Sequence, residues 1–198
     1  NAGLVLHPEN EPVIAEEEVL AFLKKRRRVL DGVCITGGEP TLAPELPSLI
    51  RSIKELGYLV KLDTNGTHPA IVRRLAEEKL IDYVAMDIKS SREHYDRLTG
   101  SSSEKLLSAV EETAAFLMNG SLDYEFRTTV VRELHEEKDF EKIRDWLAGC
   151  KRYYLQAYKD SEHILKPDSY SSYSREELEH FAGILRKKIP LVEIRGID

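Results

Sequence analysis

The chain has 198 residues, of which 32% are charged, and its formal net charge is −6. A chain of this length can bury a complete hydrophobic core, so we expect one domain over residues 1–198. The acidic balance excludes the basic surface that nucleic-acid binding requires. No apolar stretch approaches the length of a membrane span, and two cysteines are typical of reduced cytosolic thiols. We therefore expect a cytoplasmic protein that binds neither nucleic acid nor membrane.

Apolar residues recur alternately at helical and at strand spacing along the chain. The pattern follows an irregular segment over 1–15 and is interrupted by a long polar loop over 158–173. The predicted elements are a helix over 16–28, a strand over 33–36, a helix over 46–56, a strand over 58–63, a helix near 69–79, a strand over 82–89, a helix near 103–118, a strand over 123–131, a helix near 136–148, a strand over 152–157, a helix from Ser174 and a strand over 191–195.

Strands and helices alternate in units of about 25–35 residues, which predicts parallel strands joined by right-handed crossovers. An open doubly wound sheet and a full or partial barrel both fit this α/β alternation. Charged residues within two strands favour the barrel: Asp87 and Lys89 share one strand face, and Glu125, Arg127 and Thr129 share another. Such strands need helices on the outside and a polar interior that holds a ligand.

Polar residues follow three successive predicted strands at the edge where parallel strands end. Thr36-Gly37-Gly38-Glu39 follows the first strand, Asp63-Thr64-Asn65-Gly66 follows the second, and Asp87-Ile88-Lys89 closes the third. Glycines let a ligand approach the peptide groups, while the charged side chains bind groups of opposite charge. A ligand with an ammonium, a carboxylate and sugar hydroxyls would satisfy this set. Each ending alone also fits a structural role, as a turn or as an ion pair.

Together with Arg127-Thr128-Thr129-Val130, these motifs resemble the radical S-adenosylmethionine (SAM) superfamily in order and spacing. They are most similar to its glycyl-radical-enzyme activase branch, which includes pyruvate formate-lyase activating enzyme and the anaerobic ribonucleotide reductase activating protein. The similarity extends from Glu16 to about residue 157, and its most specific part pairs Asp-Thr-Asn-Gly with Asp-Ile-Lys. It implies a partial (β/α)6 TIM-like barrel that lacks its first strand and carries SAM across its open top.

The resemblance also implies a set of SAM-binding residues. They are Gly37, Gly38, Glu39, Asp63, Thr64, Asn65, Asp87, Lys89, Arg127 and Thr129. The two glycines and the glutamate would contact the methionine ammonium, and Asp63 would assist there or at the ribose. Lys89 and Arg127 would hold the methionine carboxylate or the ribose oxygens, with Asp87 positioning Lys89.

The polar loop over 158–173 has two interpretations. It is either a solvated connection or a cover over the SAM cleft and the partner's glycine loop. In the second case Gln156 and Tyr158 would lie near the adenine. The histidines to which we assign no metal are His68, His94 and His135.

In the activases, a [4Fe-4S] cluster cleaves SAM to methionine and a 5′-deoxyadenosyl radical, which takes hydrogen from a glycine of a partner glycyl radical enzyme. A flavodoxin- or ferredoxin-type protein donates the electron. The three cluster thiolates come from a C-x3-C-x2-C loop after the first barrel strand, whereas Cys34 and Cys150 have neither that spacing nor that position. We expect that Asn1-Ala2-Gly3 begins just after such a loop, and that the chain alone performs no radical chemistry. A naturally cluster-free relative is the competing interpretation.

Three functions stay open on the sequence. The first is an activase fragment. The second is a small-molecule radical SAM enzyme of the 7-carboxy-7-deazaguanine synthase type, which shares Gly-Gly-Glu-Pro and Thr-Asn-Gly-Thr, although Asp87-Ile88-Lys89 argues against it. The third is a cluster-free α/β binding module. Upstream sequence separates the third from the others, and a neighbouring gene with a glycyl-radical motif separates the first from the second.

Overall fold

The computed structural model of the protein describes residues 12–96, 104–160 and 169–197. The strands are β1 (Gly32–Ile35), β2 (Leu59–Thr64), β3 (Tyr83–Asp87), β4 (Asp123–Val130), β5 (Tyr153–Ala157) and β6 (Val192–Arg195). The helices are α1 (Glu16–Arg26), α2 (Leu46–Glu55), α3 (Pro69–Glu77), α4 (Glu104–Asn119), α5 (Glu137–Trp146) and α6 (Arg175–Leu185). Short 3₁₀ helices at Pro40–Leu42 and Arg92–His94 follow β1 and β3.

The six strands form one parallel sheet in the order β1-β2-β3-β4-β5-β6. Each strand pairs with the strand that precedes it in the chain, so the sheet is wound in one direction. A doubly wound sheet would instead reverse its strand order at a central switch point. The sequential order confirms the predicted α/β partial barrel.

The two faces of the sheet differ in chemistry because successive strand residues point to opposite sides. Val84, Met86 and Phe126 lie on the outer face and are fully buried in the hydrophobic core. Asp87 and Arg127, which are register partners in β3 and β4, lie on the inner face. The outer face thus packs under the helices, and the inner face keeps its polar groups for a ligand.

The predicted strand over 82–89 is too long, and this difference bears on the site. β3 ends at Asp87, although the Ile88 N–H still donates to Arg127 O at 2.8 Å. The chain then leaves the sheet because the main-chain groups of Lys89 bond to the side chains of Tyr95 and His135 instead of to a neighbouring strand.

Parts of other predicted segments lie outside the described residues. These are most of the irregular segment over 1–15, the start of the helix near 103–118 and residues 161–168 of the polar loop. Among the helices that the structure describes, none is long and apolar enough to cross a membrane.

A close turn follows β2 at the edge where the polar residues gather. Gly66 has a φ of +77°, and a methyl group on its Cα would overlap the terminal methyl of Met86. From α4, the Thr113 hydroxyl donates to Gly66 O at 2.7 Å. The positive φ favours glycine here, any side chain would have to displace the end of Met86, and the turn fixes where Asn65 lies.

Candidate functional site

A cavity of about 210 Å³ opens at the carboxyl ends of β1 to β4. Its lining residues are Thr36, Gly37, Gly38, Asp63, Thr64, Asn65, Asp87, Lys89 and Arg127. All of them except Thr36 belong to the SAM-binding set that the resemblance implies. Parallel strands bring these residues to one edge because the strand ends that carry them all face the same way.

A network of five charged side chains with alternating sign runs along the cavity, and all of them except Lys61 belong to its lining. Lys61 Nζ donates to Asp63 Oδ1 at 2.7 Å, and Arg127 Nη1 donates to Asp63 Oδ2 at 2.9 Å. Arg127 Nε donates to Asp87 Oδ1 at 2.5 Å, and Lys89 Nζ donates to Asp87 Oδ2 at 2.9 Å. Three cations face two carboxylates, so the network has one positive charge in excess, which favours a ligand that brings an anionic group.

The central members of the network are held in their charged forms. Burial alone would raise the pKa of the Asp63 carboxyl, but the hydrogen bond from Lys61 and the charge of Arg127 outweigh it and hold this pKa below its ordinary value. Burial alone would lower the pKa of Arg127, but the negative charges of Asp87 and Asp63 raise it above its ordinary value. At neutral pH these groups therefore serve binding and orientation rather than proton transfer.

Lys89 is the network cation that is best placed to meet a ligand. Its side chain is 46% exposed, whereas the side chain of Arg127 is 16% exposed and bonds to two carboxylates. An ammonium has three N–H donors, and Asp87 takes one of them. Gly37 lines the same cavity with a φ of +146°, and apart from its chain neighbours no heavy atom lies within 4 Å of the position of a Cβ there. A ligand can thus contact the peptide groups and the lysine together.

Glu39 lies next to the cavity but not in its lining. Its Oε1 accepts hydrogen bonds from the Thr41 hydroxyl at 2.5 Å and from the Thr64 hydroxyl at 2.8 Å. Its Oε2 accepts from Asn65 N at 2.7 Å. The carboxylate therefore ties the turn after β1 to the end of β2. Thr129, which is exposed on β4, does not line the cavity either, and contacts of both residues with SAM stay predictions.

The described ends of the polar loop are attached to the protein near the end of β4. The backbone of Ser171 accepts a hydrogen bond from Arg132 N at 3.0 Å, and its N–H donates to Glu133 Oε2 at 2.9 Å. The rings of Tyr158 and Tyr170 pack edge to face, with centroids 6.2 Å apart. The contacts predicted for Tyr158 and Gln156 with adenine stay predictions, since neither residue lines the cavity.

Sequence reasoning missed two residues that hold the segment after β3. His135 Nε2 lies 2.8 Å from Lys89 O, and Asp139 accepts a hydrogen bond from the buried Ser91 at 2.5 Å. In the structure Glu136 and Asp139 form a capping box at the start of α5, although the pair lacks the Ser or Thr of the usual sequence signature. Nothing in their spacing indicates a contact with Lys89, because the contact depends on how the crossover after β4 packs beside β3.

The residues of this chain do not fit a [4Fe-4S] cluster. Such clusters bind to cysteine thiolates, and Cys34 lies on β1 while Cys150 is buried just before β5, on the far side of β2 to β4. Burial raises the pKa of Cys150 to about 12 and, with the charge of Asp63, raises that of Cys34 as well. Among residues 12–96, 104–160 and 169–197, no group of three or more His, Cys, Asp or Glu side chains could hold a metal ion.

The sequence matches the Radical SAM superfamily over residues 7–147, and the chain belongs to this superfamily. Within it, the chain is 32% identical over 172 residues to MJ1227 of Methanocaldococcus jannaschii, which is named as a candidate glycyl-radical enzyme activating enzyme. The alignment covers 85% of this chain and 72% of MJ1227. A second protein of that organism with the same kind of name, MJ1632, is 26% identical over 61% of this chain and 46% of its own length.

Similarity to 7-carboxy-7-deazaguanine synthases is shorter. The enzyme of Thermococcus kodakarensis is 39% identical, but over 79 residues, which are 39% of this chain and 30% of that enzyme. The longer match to MJ1227 favours the activase class over the deazaguanine synthase alternative.

Solved structures share the fold. A crystallised domain of pyruvate-formate lyase-activating enzyme from Bacteroides vulgatus superposes with a TM-score of 0.65 at 20% identity, covering 83% of this chain and 99% of that domain. SuiB of Streptococcus suis, in its complex with SAM, gives a TM-score of 0.72 at 15% identity over 94% of this chain and 44% of SuiB. At these identities the likeness establishes the barrel architecture and nothing more specific.

Proposed function

We propose that this chain is the SAM-binding barrel of a radical SAM enzyme that activates a glycyl radical enzyme, its protein substrate. Membership of the superfamily and the similarity to MJ1227 support the class of reaction. The observation that carries the proposal is the cavity at the ends of β1 to β4, whose lining includes both the exposed Lys89 ammonium and the open backbone of Gly37.

The donor set of the cavity suits the amino-acid end of SAM. The peptide groups of Gly37 and Gly38 would lie against the methionine portion, and Lys89 would bind its carboxylate. Asp63 and Asp87 would attract its ammonium and hold Arg127 between them. Bound SAM would supply, on one-electron reduction and loss of methionine, the 5′-deoxyadenosyl radical that takes a hydrogen atom from a glycine of the partner. The contribution of this chain is to bind SAM, orient it and exclude water.

The electron for this reaction comes from outside the barrel. As part of the same proposal, a flavodoxin- or ferredoxin-type protein is the donor, and the cytoplasm is the compartment. The free thiol of Cys34, exposed on β1, suits a reducing compartment.

The SAM site is tested by equilibrium dialysis with labelled SAM. Lys89→Ala is expected to weaken SAM binding about tenfold, because it removes a charge-assisted hydrogen bond to the carboxylate. Binding of 5′-methylthioadenosine, which lacks that carboxylate, should not change. Lys188→Ala is the matched control, since Lys188 pairs with Asp145 on the surface away from the cavity. A wild-type chain that fails to bind SAM contradicts the proposal.

The activase reaction is tested on a protein in which this chain is preceded by a C-x3-C-x2-C segment. After cluster reconstitution and reduction with dithionite, we expect SAM to be cleaved to 5′-deoxyadenosine, and a glycyl radical to appear on the partner enzyme by electron paramagnetic resonance. A protein that holds a cluster but never forms 5′-deoxyadenosine, with or without a partner, would contradict the activase assignment.

A further inference from the structure

The main chain of Lys89 is held by side chains rather than by the sheet. Lys89 lies two residues beyond the end of β3. Its N–H donates to the Tyr95 hydroxyl at 3.4 Å, and its carbonyl oxygen lies 2.8 Å from His135 Nε2. The position of the Lys89 backbone, and with it the base of the lysine side chain, is therefore set by residues outside the cavity.

His135 is rigidly oriented for this contact. Its side chain is buried, and its ring stacks on Phe140 with centroids 6.0 Å apart. At 2.8 Å from the Lys89 carbonyl oxygen, Nε2 must carry a proton, because two acceptors at that distance would repel each other. In the neutral ring Nδ1 is then an acceptor, and it takes the Val131 N–H at 3.1 Å, while the Val131 carbonyl oxygen lies slightly farther from it at 3.2 Å. The imidazole thus donates to the carbonyl of Lys89 in a fixed direction.

Asp139 is a second anchor for the same segment. It is 1% exposed, and its Oδ1 accepts from Ser91 Oγ at 2.5 Å and lies 2.8 Å from His94 Nδ1. Its Oδ2 accepts from Glu136 N at 2.9 Å, at the start of α5. Burial alone would raise the pKa of Asp139, but the hydrogen bonds from Ser91 and Glu136 outweigh it and hold the pKa below its ordinary value. A charged carboxylate therefore fixes the residues that follow Lys89.

We infer that His135 is a positioning residue of the SAM site, which directs the Lys89 ammonium at the methionine carboxylate by holding the Lys89 carbonyl, with Asp139 as the second anchor. The inference rests on the proposed function, because it requires that Lys89 bind SAM. A lysine side chain has four rotatable bonds, so freedom in its backbone adds to the entropy that binding must overcome.

The test compares affinities for SAM and for 5′-methylthioadenosine. His135→Leu removes the donor and is expected to weaken SAM binding about fivefold, while binding of 5′-methylthioadenosine is unchanged because it has no carboxylate for Lys89. His135→Gln keeps an N–H donor and should restore part of the SAM affinity. Leu178→Ala truncates a buried core residue of α6 and is the control for lost stability, with no expected change in the ratio of the two affinities.

A double-mutant cycle shows whether His135 acts through Lys89. In the Lys89→Ala background, His135→Leu should have no further effect on SAM binding. If wild type binds SAM and Lys89→Ala weakens it, but His135→Leu retains full affinity, the inference is overturned while the proposed function stands. Should His135→Leu fail to fold, Asp139→Asn takes its place, and unchanged SAM affinity in that variant overturns the inference. If Lys89→Ala does not weaken SAM binding, the proposed function itself is contradicted.

Discussion

Arg127 holds the charges of the cavity in register. Its guanidinium bonds to Asp63 from one nitrogen and to Asp87 from another, so it joins β2 and β3 through a side chain of β4. A lysine ammonium could not span both carboxylates with the same planar geometry. Arg127 therefore orders the acids that a ligand meets.

Arg127→Ala is expected to destabilise the protein by about 2 kcal/mol at pH 7, because two half-buried carboxylates lose the cation between them. The pKa of Asp63 is depressed in the folded state, so its contribution to stability is present above the ordinary pKa of 3.8 and is lost as pH falls through the lower folded value. The difference between wild type and variant should therefore shrink below about pH 4. Urea unfolding at pH 7 and at pH 3 measures both effects.

Arg73→Ala is the matched control for Arg127→Ala. Arg73 forms an ion pair with Glu112, and both side chains are exposed. Its removal should lower the free energy of unfolding by less than about 0.5 kcal/mol. Equal losses in the two variants, or a loss at Arg127 that persists unchanged at pH 3, would contradict the structural role of the network.

The sequence predicts which residues form the site better than it predicts the hydrogen bonds between them. Gly37, Asp63 and Lys89 are found at strand ends because the change from apolar run to glycine or acid marks the edge of a parallel sheet. The bonds from Arg127 to two acids depend on the register of β2, β3 and β4, which single-strand patterns do not specify. The contact between His135 and Lys89 joins two different crossovers and has no signal in local spacing.

At the scale of elements, the helices and strands agree with the apolar periodicity of the sequence. The predicted and observed bounds of β3 differ because, after Asp87, side chains take the place of a neighbouring strand as hydrogen-bond partners of the backbone. The helix predicted from Ser174 begins there with a capping box, in which Glu177 N donates to Ser174 Oγ at 3.2 Å. The end of β3 could not be predicted, because the alternation of polar and apolar residues continues through Lys89. The backbone of Lys89 nevertheless bonds to the side chains of Tyr95 and His135 rather than to a strand. The apolar periodicity of the sequence therefore predicts that β3 exists, and tertiary contacts determine the residue at which it ends.

The turn after β2 offers a test of packing at this scale. Gly66→Ala should destabilise the protein by at least about 2 kcal/mol, since it combines a positive φ with a steric overlap on Met86. Gly149→Ala is the matched control: its φ is +84°, but no heavy atom lies within 4 Å of the added Cβ, so only about 1 kcal/mol of backbone strain is expected. Urea unfolding of both variants gives the difference. Equal losses would show that Met86 moves aside without cost.

At the scale of the whole molecule, the number and positions of the two cysteines determine whether this chain alone can bind a [4Fe-4S] cluster. Anaerobic reconstitution of the 198-residue chain with iron and sulfide should give no stoichiometric [4Fe-4S] absorption, because Cys34 and Cys150 lie on opposite sides of β2 to β4. Iron analysis and the visible spectrum, compared with those of a Cys34→Ser and Cys150→Ser double variant, measure this. A full cluster in the wild-type chain that the double variant lacks would contradict the expectation.

The sequential strand order also bears on how the chain reaches its native state. Every strand docks on the strand made just before it, so the pairings are short in sequence and each β/α unit can add to a growing edge as it leaves the ribosome. In chain order the cavity lining is complete at Arg127. The ligand pocket can therefore begin to take shape while the last two strands are still being synthesised, and β5 then pairs with β4 at Arg127, the last lining residue in the chain.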